Sequence, residues 1–137
     1  EVGDINTARL NLGGAGTSTN ALAFGGTLDP GNQNVTELWN GSSWTEVNNL
    51  NTARSKNVGL GIYTSALSVG GNPALAVTED WNGAGWTEVN DLNTGRETMA
   101  PAGTTTSGLV SSGTTGTITT AVEEWSSSSN TIKVLTD

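Results

Sequence analysis

The chain of 137 residues contains no cysteine and no histidine. Nucleophilic catalysis by a Ser-His-Asp or Cys-His set therefore lacks its base, and a zinc site built on imidazole or thiolate lacks its ligands. Without disulfides the redox compartment is not legible, and stability has to come from packing and strand pairing. Basic residues number 5 against 13 acidic ones, a formal net charge of −8. Arg9, Arg54, Lys56, Arg96 and Lys133 are too dispersed to form the basic stripe that displaces counterions from nucleic acid, and the same charge disfavours anionic membrane surfaces. No apolar run is long enough to span a bilayer, so membrane insertion is not expected. No stretch of ten residues is free of Gly, Ser, Thr and Asn, which excludes an all-helical chain. What is abundant points the other way. The 19 glycines, with many Thr, Ser and Asn, favour short strands joined by tight polar turns, because Thr fits a pleated surface while Gly and Asn tolerate positive φ.

An internal repeat organises the chain. Residues 37–54 read ELWNGSSWTEVNNLNTAR and residues 79–96 read EDWNGAGWTEVNDLNTGR, identical at 13 of 18 positions with an offset of 42. Upstream, NTAR at 6–9 matches NTAR at 51–54 with an offset of 45. Downstream, Val122-Glu123-Glu124-Trp125 corresponds to the segment ending at Trp81, with Asn130 in place of the second tryptophan. Ala23-Phe24-Gly25-Gly26 corresponds to Ser68-Val69-Gly70-Gly71 and then to Ser111-Ser112-Gly113. The spacing divides the single domain 1–137 into units of about 4–47, 49–89 and 91–134, with 1–3 as the tail of a preceding unit. Punctuation places four strands in the first unit: Leu10 to Gly16, Ala21 to Phe24, Val35 to Trp39 and Trp44 to Val47, with Asn40-Gly41 as the tight turn between the last two.

The order arginine, strand, apolar strand ending in Gly-Gly, strand ending in an aromatic, then Trp resembles the kelch repeat of galactose-oxidase-like β-propellers. The residues that carry it are Gly25 and Gly26, Gly70 and Gly71, the aromatics Trp39, Trp81 and Trp125, and the later Trp44 and Trp86. The family usually has Tyr-Asp where this chain has Trp39-Asn40 and Trp81-Asn82, and the third unit has lost one glycine. The resemblance implies an all-β fold of three four-stranded antiparallel blades. Closed propellers need ~4–8 blades, so three form a partial propeller or part of an assembled ring. The further blades would come from the same longer chain or from copies of this one. The start inside a repeat favours the longer chain, and the ending suits a natural C-terminus. Copper radical oxidases belong to this family, but their ligand histidines and cross-linked cysteine have no counterpart here, and no cofactor is expected. NTAR, AFGG and WNGSSWTEV are also similar to kelch-like arrays of marine bacteriophages and aquatic bacteria, which sit in virion fibres or on cell surfaces.

Each recurring residue has a packing reading and a binding reading. Glu37, Glu79 and Glu123 recur at one position and either satisfy donors within each unit or converge on a sugar or cation. Neighbours on a strand point to opposite faces, so Glu79-Asp80 and Glu123-Glu124 do not form a catalytic pair. Arg9, Arg54 and Arg96 either anchor a unit to its neighbour through a carboxylate, as a bidentate pair, or line a channel. Trp39, Trp44, Trp81, Trp86 and Trp125 either seal the space between blades or form sugar platforms. Packing leads in all three cases. The non-repeated loop residues Tyr63, Thr64, Asp29, Asn32 and Asn72 are the binding candidates, within loops Thr27 to Asn34, Tyr63-Thr64 and Asn72 to Ala74. No catalytic and no metal-ligating residues are identified. A calcium site at Asp29 would need more carboxylates than that loop has. The sequon matches at Asn34 and Asn40 carry little weight in so Asn- and Thr-rich a chain.

The expected function is a non-enzymatic binding or structural module of a virion or cell-surface fibre, recognising a protein or glycan on a host surface. The alternatives are a carbohydrate-active enzyme and an intracellular kelch adaptor.

Overall fold

The computed structural model describes residues 2–127 and, through their backbone pairing, 131–134. Glu1 and Asn130 lie outside the described residues. The first sheet begins with β1 (Gly13–Gly16) and β2 (Ala21–Phe24). A small hairpin of β3 (Thr27–Leu28) and β4 (Gly31–Asn32) intervenes, and β5 (Thr36–Trp39) and β6 (Trp44–Val47) complete the antiparallel order β1-β2-β5-β6. The second sheet is the meander β7 (Val58–Ile62), β8 (Ser65–Gly71), β9 (Leu75–Trp81) and β10 (Trp86–Glu88). The third is β11 (Ala100–Gly103), β12 (Ser107–Ser111), β13 (Val122–Ser126) and β14 (Thr131–Val134). The described residues are thus all-β, in three four-stranded antiparallel sheets of matching order, and no helix among them is long and apolar enough to cross a membrane.

Three local expectations are corrected. The first strand starts at Gly13, not Leu10, because Asn11 has φ 58° and breaks the extended run. Leu10 instead bridges Thr27. The connection between β5 and β6 spans four residues, with Trp39 opposite Trp44. Asn40 Oδ1 accepts from the N–H groups of Ser42 and Ser43, so the side chain, rather than a two-residue turn, shapes the loop. Asn82 does the same with Ala84 and Gly85. In the third sheet the residue opposite Trp125 is Ile132, so the place of the second tryptophan falls there and not at Asn130. Val2 lies in no strand and is 74 % exposed.

Successive sheets stack face to face, and alternation along each strand assigns side chains to a leading face, toward the preceding sheet, or a trailing one. Leu22 and Phe24 of the first sheet pack against Ala66, Trp81 and Trp86 of the second, with Leu50 of the connector between them. Leu60, Leu67 and Val69 of the second pack against Val110 and Trp125 of the third, with Leu92 and Met99. Each such leucine, valine, methionine or phenylalanine, fully buried, is worth about 1.5–3 kcal/mol, so the intersheet seams hold the main apolar stabilisation. First strands approach closely: a Cβ on Gly59 of β7 would lie 2.0 Å from the Gly14 carbonyl oxygen of β1.

Candidate binding face

The repeated charged residues meet inside the stack. Arg9, Arg54 and Arg96 reach Glu37, Glu79 and Glu123 respectively, with side chains no more than 1 % exposed. A single N–H···O contact is formed in each, not a bidentate fork, because the carboxylates are shared with main-chain donors. Glu79 Oε1 takes Arg54 Nη2 (3.0 Å) and Thr52 N (3.2 Å), and Oε2 takes Asn51 N (2.7 Å) and Asn51 Nδ2 (2.9 Å). Glu37 accepts from Asn6 N and Thr7 N in the same way, and Glu123 from Asn93 N. Burial pushes the Glu37 carboxyl up, but Arg9 and the two amides outweigh it and hold it below its ordinary value. Burial pushes the Arg54 guanidinium down, with Glu79 opposing. The three guanidinium groups are thus turned inward on carboxylates, and Arg9 also borders a groove at the surface. Trp39, Trp81, Trp86 and Trp125 are buried and Trp44 is half-buried.

The five loop candidates separate onto opposite ends of the stack, since the turn after a first strand and the turn after a second strand lie at opposite edges of a meander. Tyr63 and Thr64 join β7 to β8. Trp81 Nε1 donates to the Tyr63 carbonyl (3.0 Å), as Trp39 and Trp125 do to Ser18 and Thr105, so the loop backbone is pinned while the Tyr63 side chain is 36 % exposed. Asp29, Asn32 and Asn72 lie at the other end. There Asn32 Nδ2 donates to the Asn72 carbonyl (2.9 Å) and Ser55 Oγ to Asn32 Oδ1 (2.8 Å). Asn72 Nδ2 donates to Glu97 Oε2 (2.6 Å), and Lys56 Nζ to Glu97 Oε1 (2.7 Å). Asp29 stands apart on the rim of an open groove of 510 Å³ shared with Arg9, Thr27 and Pro30.

Ser55, Lys56 and Glu97 belong to this face although their sequence context does not mark them. The missed signal is positional. Asn11, Lys56 and Thr98 each follow the repeat arginine by two residues and share φ of 53–58°. Lys56 N donates to Asn11 O (2.7 Å) and Thr98 N to Lys56 O (3.1 Å), a main-chain stitch from sheet to sheet that three different side chains conceal. Asn34, in one of the sequon matches, donates to the Leu50 carbonyl.

Charge on this face is neutralised. The Lys56 ammonium holds the Glu97 carboxyl below the ordinary carboxylate range, with Asn72 adding to it and burial opposing. Each basic side chain among the described residues is paired with a carboxylate. The surface can therefore present amides, hydroxyls and unpaired carboxylates to a ligand, and no free cation among the described residues. Compared with models of known protein families and with curated proteins, the chain matches none.

Proposed function

We propose that the chain is three blades of a kelch-type β-propeller, acting as a non-enzymatic binding or structural module of a virion or cell-surface fibre, outside the cell. The observation that carries this reading is the full engagement of Glu37, Glu79 and Glu123. Carboxylates saturated by an arginine and main-chain amides, and at most 1 % exposed, are held for packing, not for proton transfer to a substrate. The repeat supports the blade reading: one strand order, one ion-pair position and one tryptophan position recur from sheet to sheet. What differs between blades is the loops, where recognition would lie.

The net charge of −8 and the pairing of every described cation favour a neutral glycan or a basic protein surface as ligand, and disfavour sialylated, sulfated or phosphorylated polymers. The test is retention of the chain on arrays of neutral and of anionic glycans and on whole cells of differing surface chemistry, with Asp29→Ala and Tyr63→Ala reporting which end makes contact. Retention on neutral glycans or cells that one of these variants abolishes supports the reading. Hydrolysis of any glycan, lost in Glu79→Gln while the fold is kept, would overturn it.

A further inference from the structure

Among the described residues the stack of blades has two uncovered faces, and they differ. At the internal junction, Trp86 Nε1 donates to Thr36 Oγ1 of the preceding blade (3.0 Å), and its ring meets Phe24 edge-on at 4.9 Å. Leu50, at the head of the connector, is 1 % exposed. The leading face of the first blade keeps the corresponding residues. Trp44 lies 5.4 Å from Trp39, as Trp86 lies 5.4 Å from Trp81, yet it is half-buried and its indole N–H has no acceptor among the described residues. Ile5, at the Leu50 position, is likewise half-buried. Arg54 N donates to Gln33 O of the preceding blade and Arg54 O accepts from Gly26 N, whereas the main chain of Arg9 has no partner among the described residues.

The trailing face of the third blade has lost what those groups need. Ladder register puts Ser111 where Phe24 and Val69 stand, and Val122 where Thr36 and Thr78 stand. Ser112 occupies the place of Gly25 and Gly70, with φ 59° against 66° and 60°. A Cβ on Gly25 would lie 2.6 Å from the Arg54 carbonyl, and one on Gly70 2.6 Å from the Arg96 carbonyl. A connector docked in the internal manner therefore cannot sit on Ser112. Since the trailing faces of the first two blades are already covered, a second copy of this chain has no matching surface to give Trp44.

We infer that the leading face of the first blade, centred on Trp44 and Ile5, is a docking surface for one further blade of this repeat. That blade carries threonine at the Thr36 position, an apolar residue at the Phe24 position and glycine at the Gly25 position. Its threonine accepts from Trp44 Nε1, its apolar residue covers the Trp44 ring, and its loop carbonyl takes the Arg9 amide. The inference rests on reading the sheets as propeller blades, and it is independent of which loops bind a ligand.

A chain with a second copy of residues 4–48 inserted before Asp4 tests it, because DINTAR at 4–9 and NLNTAR at 49–54 are equivalent connectors. The readout is hydrogen exchange of the Trp44 indole N–H in ¹⁵N spectra, assigned with Trp44→Phe. In the present chain it exchanges about tenfold or more faster than that of Trp86; the added blade slows it by about tenfold, the effect of one hydrogen bond in a buried site. Thr36→Val with Phe24→Ser in the added copy alone abolishes the slowing. An added blade that stays disordered on an intact chain, or orders without protecting Trp44, overturns the inference. So does a present chain that already protects Trp44 as a dimer. Glycan and cell retention, measured separately, reads the functional proposal and is not affected by any of these outcomes.

Discussion

Arg54 and Glu79 clasp adjacent sheets. The Arg54 main chain is hydrogen-bonded to Gln33 and Gly26 in loops of the first repeat, while its guanidinium crosses to Glu79 in β9 of the second sheet, at 3.0 Å. Arg96 repeats this between the second and third: its main chain meets Leu75 and Gly71, and its side chain reaches Glu123 at 2.7 Å.

Removing one partner leaves a buried uncompensated charge. Arg54→Met is expected to lower stability by about 3–5 kcal/mol, read as a shift in the urea midpoint. Pairing it with Glu79→Gln recovers part of the loss but not all, because Glu79 also holds Asn51 N and Thr52 N. A single variant with an unchanged midpoint would mean that the clasp contributes nothing net.

Acid should weaken the fold through Glu37. Its folded pKa lies below the ordinary 4.5, so the associated stability is present above that value and is lost as pH falls through the folded pKa. Asp80 runs the opposite way: burial raises its carboxyl above 3.8, which destabilises the fold at neutral pH and is relieved on protonation. Urea midpoints measured from pH 7 down to pH 3 should be flat and then fall below about pH 4.5. Glu37→Gln should flatten the fall, and Asp80→Asn should raise the midpoint at pH 7.

Two equivalent threonines should respond differently to loss of a hydroxyl. Thr36 Oγ1 accepts from Trp86 Nε1, whereas Thr78 Oγ1 is buried with no partner among the described residues, beside a small cavity lined by Val69, Leu92 and Trp125. Thr36→Val strands a buried N–H and is expected to cost about 1–3 kcal/mol. Thr78→Val removes an orphaned hydroxyl and should be neutral or stabilising, a contrast that thermal melts of the two variants check.

Gly70 and Ser112 share a left-handed backbone position, φ 60° and 59°. Gly70→Ala puts a Cβ 2.5 Å from Met99 Cε and 2.6 Å from Arg96 O, adding a clash to a backbone penalty of about 1–2 kcal/mol. Ser112→Ala meets no connector among the described residues and should change the melting temperature little.

Much of this architecture is written in short-range pattern. Strand β2 and strand β6 fall where alternation, the Gly-Gly stop and the Asn-Gly loops place them, and the threefold repetition of Arg, Glu and Trp marks the packing positions before any contact is known. These signals are legible because pleat, turn and repeat depend on residues close in the chain. The candidate face is less legible. Asn32, Ser55, Lys56, Asn72 and Glu97 come from three repeats and from unlike residues, and only stacking brings them together. Which glutamate each arginine meets, why Thr36 has a partner and Thr78 has none, and why Tyr63 and Asp29 face opposite ends were decided by the tertiary structure. Sequence determined the strands and the repeat, since each is a local choice of backbone conformation. Partnership across 25–50 residues was decided by how neighbouring sheets stack, which sets the distances between atoms that the chain itself leaves far apart.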